Sequence, residues 1–301
     1  MPLIKIFAFS GILNAFVAGL FAFIIILKNP KEHLNQSFCI MSLSIVGWSF
    51  SYWMWMEGML ELNPSKSFFW AQMLSAFSVF IPVLYFIFIL NLLALWQSKK
   101  YTITAYIFLI ITTLISISCF TELGVKGIKQ AAIFPYWPVP GILYTLYVIF
   151  LYCGLILYGI YLLIKNVNLV SGSFKETLQL ILTGSIIGFG GGLTNFFLWY
   201  DFPVLPVGNF FVSLYPIILG IAILKYQLFN IRLVITEGFI YFIWVFIFIR
   251  LVVTETISDR LANLFLLISS IIIGLLLIKY SYKELEQREK LETLNRVKSE
   301  F

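Results

Sequence analysis

The sequence predicts an all-α integral membrane protein of about nine transmembrane helices. Its N-terminus is expected outside and its C-terminus inside, with the last helix running on into a cytoplasmic, coiled-coil-like segment. Three observations predict this. Of 301 residues, 61% are hydrophobic and 11% charged, and the mean hydropathy is +0.97, well outside the composition of an ordinary soluble domain. The apolar residues gather in nine runs, close to the ~20 residues a helix needs to cross a bilayer. The Lys and Arg residues lie mostly between those runs and favour alternate sides.

The first run, Leu3 to Leu27, is too long for a signal-peptide core and lacks a clear small-residue cleavage site, so it is expected to span. Leu34 to Met56, Phe68 to Trp96 and Tyr101 to Phe120 follow. Beyond them come Gly141 to Ile164, Thr177 to Tyr200, Asn209 to Leu224, Leu233 to Val253 and Ala262 to Ile278. With the C-terminus inside, the inner segments hold fourteen of the twenty Lys and Arg residues and the outer segments five, Arg250 lying within the eighth run. That excess sets the orientation. The net charge of +6 is thus a topology signal, and nucleic acid is not expected as a partner.

The longest connection, "TELGVKGIKQAAIFPYWPVP", lies outside between the fourth and fifth runs and carries three prolines with Tyr136 and Trp137. Two readings fit it: a compact cover for a pocket, or an aromatic anchor at headgroup level. From Tyr280 the chain turns polar and free of Gly and Pro, and should continue the ninth helix. Glu284 to Arg288, Glu286 to Lys290 and Glu292 to Arg296 are i,i+4 pairs in the favourable order. Leu291, Leu294 and Phe301 recur at the spacing of a coiled-coil seam, which suggests a homodimer through this signalling helix. Leu285 does not fit that register.

No metal site or cofactor is expected. Cys39, Cys119 and Cys153 form no CxxC pair and lie in or beside apolar runs, and His33 is the only histidine. That solitary histidine also excludes a Ser-His hydrolase, and no HExxH or paired aspartate occurs in the runs. An intramembrane enzyme is therefore disfavoured, and no catalytic residue is assigned.

Polar groups inside hydrocarbon are costly and so mark candidate sites. Near the outer ends of their runs lie Trp55 and Glu57, Trp70 and Gln72, and Asn209, with Trp53, Trp199, Tyr200 and Asp201 at similar depth. They could line an outward aromatic cavity or form an aromatic belt. Deeper in the bundle, Asn195 follows the glycine-rich "GFGGG" (188–192), where small residues allow close approach of a neighbouring helix or a ligand. Pro82 and Pro216 can kink their helices and free carbonyls.

The second run contains Trp48, and the third reads "FFWAQMLSAFSVFIPVLYFIFIL" with Trp70, Pro82 and Phe86. "ILKYQLFNIRLVI" (223–235) forms a basic junction, and the chain closes on "LNRVKSEF". These features resemble the N-terminal seven-helix sensor region of membrane histidine kinases, with the closing segment similar to the stretch leading into their phosphoacceptor helix. The resemblance implies a multi-pass protein of a prokaryotic plasma membrane. It also implies that the phosphorylated histidine and ATP-binding domain of a parent kinase lie beyond Phe301, and that a response regulator acts through that part. Many relatives pass from the seventh helix to a PAS-type domain. Here two more runs intervene, closer to the nine-span layout of some quorum-sensing kinases, so the ligand class does not transfer.

The expected organisation is a seven-helix sensor bundle over 1–232, two further transmembrane helices over 233–279, and a cytoplasmic signalling helix over 280–301. The expected function is a receptor module of a two-component histidine kinase. An extracellular or intramembrane stimulus, small-molecule or membrane-borne, would change the C-terminal helix and so regulate autophosphorylation. Its ligand-site candidates are Trp48, Trp55, Glu57, Trp70, Gln72, Asn195 and Asn209. The alternative is a secondary transporter or accessory membrane subunit, against which stand a single glycine-rich span and the lack of a clear inverted repeat.

Overall fold

The computed structural model describes residues 2–226, 231–253 and 256–300. The chain divides into two compact units, Met1–Gln227 and Leu228–Phe301. All nine apolar runs carry helix. In the first unit these are α1 (Pro2–Lys28), α2 (His33–Leu60), α3 (Pro64–Ser78), α4 (Phe80–Leu92), α5 (Lys99–Ser118), α6 (Ile142–Leu146), α7 (Gly154–Val167), α8 (Gly172–Leu193) and α9 (Leu214–Tyr226). The second unit contains α10 (Ile231–Val253) and α11 (Ile257–Glu300).

Seven stretches among the described residues are long and apolar enough to cross a membrane. They are Pro2–Lys28, Pro64–Leu92, Lys99–Ser118, Ile142–Val167, Gly172–Tyr200, Val207–Tyr226 and Asp259–Glu284. α2, at 28 residues, is equally long but less apolar, because it carries five serines with Asn35, Gln36 and Glu57. Its neighbours explain how it tolerates them: α1, α3 and α4 pack around it, and Asn35, Ser42, Ser49 and Ser51 are fully buried. α5 is the opposite case. Ile103, Ile107, Ile110, Leu114 and Ile117 form an exposed stripe at helical spacing, a surface that suits lipid and not water. The protein is a multi-pass membrane protein.

α3 and α4 are one span interrupted at Val79. Pro82 has no N–H to offer the carbonyl of Ser78 four residues earlier, so the ladder opens there. Pro216 is the third residue of α9, just past the point where the 3-10 turn Val207–Ser213 gives way to α-helix.

The long connection between α5 and α6 is a two-stranded antiparallel hairpin, the one departure from an all-helical chain among the described residues. β1 (Val125–Ala131) pairs with β2 (Phe134–Pro140), with Lys129 opposite Trp137 and Ala131 opposite Phe134. Pro135, Pro138 and Pro140 cannot donate to a ladder, so the prolines confine β2 to an edge strand. An isolated hairpin is marginal in stability. This one is held by Phe134 and Trp137, both with no exposed surface. Phe134 meets Phe7 of α1 edge-on at 5.4 Å, and the indole N–H of Trp55 on α2 donates to the Tyr136 carbonyl at 3.0 Å.

In the second unit α10 and α11 pack on each other. Gly274 leaves room for Ile240 and Trp244, and the Trp244 indole donates to the Ser270 carbonyl at 2.9 Å. Glu237 of α10 is only 6% exposed. α11 is a single helix of 44 residues, so the polar tail does continue the last apolar run. The side chains of Leu285, Leu291 and Leu294, and all of Phe301, lie outside the described residues.

Candidate functional site

The first unit encloses an aromatic cavity at the end of the bundle where the hairpin sits. α2 contributes Trp48, Tyr52 and Trp55 at three- and four-residue spacing, so all three lie on one helix face. Their rings form a continuous series, Trp48 to Tyr52 at 5.9 Å and Tyr52 to Trp55 at 5.5 Å. The series passes to the hairpin through Trp55 and Trp137 at 4.6 Å, and on to Phe134 at 4.6 Å. Trp137 therefore acts as the cover of the cavity, and of the two readings of this loop the side-chain positions favour a cap.

The opposite wall is built from tyrosines. Between α6 and α7 the chain forms a π-helical segment, Tyr147–Cys153. Its wider turn brings Tyr147 and Tyr152, five residues apart, to the same side, with rings 6.5 Å apart. Tyr144 stacks on Trp199 at 4.7 Å. Pro82 now finds its purpose: the Ser78 carbonyl it releases accepts from the Tyr147 hydroxyl at 2.7 Å, while the Ser78 and Tyr144 hydroxyls share a bond of 2.9 Å. Tyr152 donates to the Phe189 carbonyl at 2.9 Å.

The third wall comes from α8, the 3-10 turn Thr194–Tyr200 that ends it, and the 3-10 turn Val207–Ser213 that leads into α9. Gly191 and Gly208 let these two segments touch backbone to backbone. Beside them runs a buried polar chain: Asn195 Nδ2 donates to Asn209 Oδ1 at 3.3 Å, Asn209 Nδ2 to the Ser10 hydroxyl at 2.6 Å, and Ser10 to the Phe7 carbonyl at 2.6 Å. Asn14 Nδ2 adds a bond of 2.9 Å to the Asn209 carbonyl. This chain ties α1 to the cavity wall in a region where each unmade bond is costly.

The partly enclosed cavity has a volume of about 60 Å3. The walls are thus close-set, and a ring-sized guest must part them. No Asp, Glu, Lys, Arg or His lines it. At the rim, Lys129 of β1 forms an exposed ion pair with Asp201, just past the Thr194–Tyr200 turn.

Of the residues singled out in the sequence, Trp48, Trp55 and Asn195 line the cavity, and Asn209 stands directly behind Asn195. Glu57, Trp70 and Gln72 share their end of the bundle but do not line it. Glu57 accepts from the Trp53 indole at 3.1 Å. Trp70 packs edge-on against Phe50 and Phe69, both substantially exposed. Gln72 is half-buried on α3. The sequence reading missed Tyr52 and the tyrosines of the fifth run, which in an apolar stretch look like ordinary bulk. A released carbonyl before Pro82 facing a tyrosine-rich span was the available signal.

Fold and cavity together define a multi-pass membrane protein with a partly enclosed aromatic chamber in its first seven runs. Residues 6–232 match the family of the N-terminal 7TM region of histidine kinases. The chain belongs to that family, and its role is that of a sensor module of a histidine kinase. No curated protein matches the chain, and no solved structure does.

Proposed function

We propose that the capped aromatic cavity is where this sensor receives its stimulus, and that occupancy is passed through α9 to the last two helices. The observation that carries this reading is the construction of the chamber. Its walls come from α2, the broken span α3–α4, the hairpin, α6 with the π-helical segment, the end of α8 with its 3-10 turn, and the start of α9, so a guest touches six parts of the unit at once. A stimulus shifts a receptor only if it binds two states differently. The π-helical turn, whose Tyr147 bonds a carbonyl on another helix, is the element we assign to that shift, and Tyr215 carries the cavity wall onto α9.

In this reading residues 1–232 are the sensor bundle, 233–279 add two transmembrane helices, and 280–301 form a signalling helix that dimerises and sets autophosphorylation in the parent kinase. A response regulator reads that state. Val212 lines the cavity, and Val212→Phe should fill it. Expressed in the parent kinase, Val212→Phe is expected to fix autophosphorylation at one level with no response to stimulus. Ile110→Phe, on the exposed stripe of α5, is expected to respond normally. A normal response from Val212→Phe in a protein of unchanged melting temperature would remove the cavity from the signalling path.

The orientation is tested separately. A cysteine replacing Lys126 of the hairpin is expected to react with a membrane-impermeant maleimide on intact cells. One replacing Lys283 is expected to react only after lysis. The reverse pattern would invert the topology and place the cavity at the cytoplasmic end.

A further inference from the structure

If the cavity is the sensing site, as proposed above, its unmatched polar atoms define what fits it. Three lining residues carry a buried polar atom with no hydrogen-bond partner: the hydroxyl of Tyr52, Nε1 of Trp137 and Oδ1 of Asn195. These residues are 1%, 0% and 7% exposed. They come from three different elements, α2, β2 and the turn after α8, yet border one space. The neighbouring polar groups are not slack in the same way. Trp55, Ser78, Tyr147 and Tyr152 each have a bond within 3.0 Å. Folding normally satisfies buried polar groups, and an exception calls for a reason such as a bound partner.

The chemistry of the three atoms is complementary and specific. An indole N–H can only donate, so Trp137 asks for an acceptor. Asn195 already donates through Nδ2 to Asn209 and to the Gly192 carbonyl, so its carbonyl oxygen is left to accept and asks for a donor. Tyr52 can do either. The rest of the lining is ring faces, which favour a flat guest. Such faces also attract cations, but here no carboxylate would neutralise the charge. A cation offers no acceptor to Trp137, and an anion finds no basic partner. Either ion would surrender its hydration uncompensated.

We propose that the cavity binds a neutral, flat aromatic molecule bearing an acceptor and a donor side by side, as a primary carboxamide does. The acceptor is taken by Trp137, with Tyr52 beside it, and the donor by Asn195.

The test uses the full 301-residue chain in lipid nanodiscs and 19F NMR titration with four probes: 4-fluorobenzamide, 4-fluorobenzoate, 4-fluorobenzyltrimethylammonium and fluorobenzene. Empty nanodiscs correct for partition into lipid. Saturable binding is expected for the amide, and binding at least tenfold weaker for each of the others. Tyr52→Phe, which removes only the hydroxyl, and Trp137→Phe, which removes the indole N–H together with part of the ring system, should each weaken amide binding about tenfold. Without probe, Tyr52→Phe should melt at the same temperature as the parent or higher, since it deletes an unmatched buried hydroxyl. That pairing of preserved stability with lost affinity separates a ligand contact from a structural one.

Equal or tighter binding of an ion or of fluorobenzene, or amide binding indifferent to both variants, would overturn the ligand class and leave the cavity as the sensing site. Failure of all four probes would overturn the ligand class too. Only if Val212→Phe also signalled normally would the sensing site fall with it.

Discussion

Gly191→Ala is expected to cost about 3 kcal/mol of folding stability, the upper part of the range for overpacking a core, whereas Gly190→Ala one residue earlier is expected to be neutral or stabilising by up to about 1 kcal/mol. The difference lies in what a methyl group would meet. At Gly191 it would press on the carbonyl of Gly208 and come within 3.1 Å of Phe211 Cβ. Gly208 is equally constrained, since a methyl group there would lie 2.6 Å from the Gly191 carbonyl oxygen and 2.8 Å from its Cα. Backbone atoms cannot rotate away as a side-chain end can, so the two segments must separate. Separation would pull Asn195 away from Asn209 and break the polar chain to Ser10. Gly190 faces open space, with nothing within 4 Å, and there alanine only improves helix propensity. Reversible unfolding of the reconstituted chain in mixed micelles, followed by far-ultraviolet circular dichroism, measures both. Equal stabilities for the two variants would mean that this close approach does not hold the wall of the cavity.

The same glycines show what the sequence discloses and what it withholds. "GFGGG" marks a place of close approach, but which glycine faces a neighbour depends on the rotation of α8 about its axis. Helices of membrane bundles are apolar on nearly every side and provide little amphipathic phase to fix that rotation. This is why reasoning from depth grouped Trp55, Trp70, Glu57 and Gln72 together, whereas only Trp55 of these four turns inward. Depth follows from counting residues along a span, and facing follows from packing. Where two constraints coincide, more can be read. Asn195 and Asn209 are amides that hydrocarbon would penalise, and they find each other across two segments.

The helical spans were legible because the bilayer imposes one length on all of them. The hairpin was not, because its strands lack the alternation of a half-buried sheet and β2 carries three prolines. What makes it fold is tertiary: Phe134 and Trp137 have a hydrophobic end of the bundle to cover. The π-helical segment was equally hidden. A run such as "YTLYVIFLYCG" (144–154) looks like a standard helix by composition, and only the extra residue in the turn carries Tyr152 to the side of Tyr147.

Trp137→Ala is expected to destabilise the hairpin end by about 3–5 kcal/mol, the cost of emptying a fully packed aromatic site. Trp70→Ala should cost no more than about 1 kcal/mol, the value of a lost aromatic pair at a half-exposed position. Trp137 is enclosed on both sides, with Trp55 at 4.6 Å and Phe134 at 4.6 Å, whereas Trp70 leans on the exposed rings of Phe50 and Phe69. The loss should also be local. A two-stranded hairpin has little stability of its own, and its rim ion pair between Lys129 and Asp201 is exposed, a kind of contact worth at most about 1 kcal/mol. Removing the indole should therefore let the hairpin open without unfolding the helices. Amide hydrogen exchange makes the distinction. In Trp137→Ala, protection over 123–141 should fall sharply while α1, α2 and α8 keep theirs, and in Trp70→Ala both should stay as in the parent. Unchanged protection over 123–141 would show that some other contact holds the cap in place. A collapse that spread to α2 would show that the cap and the bundle form one cooperative unit, so that the chamber could open only with the helices around it.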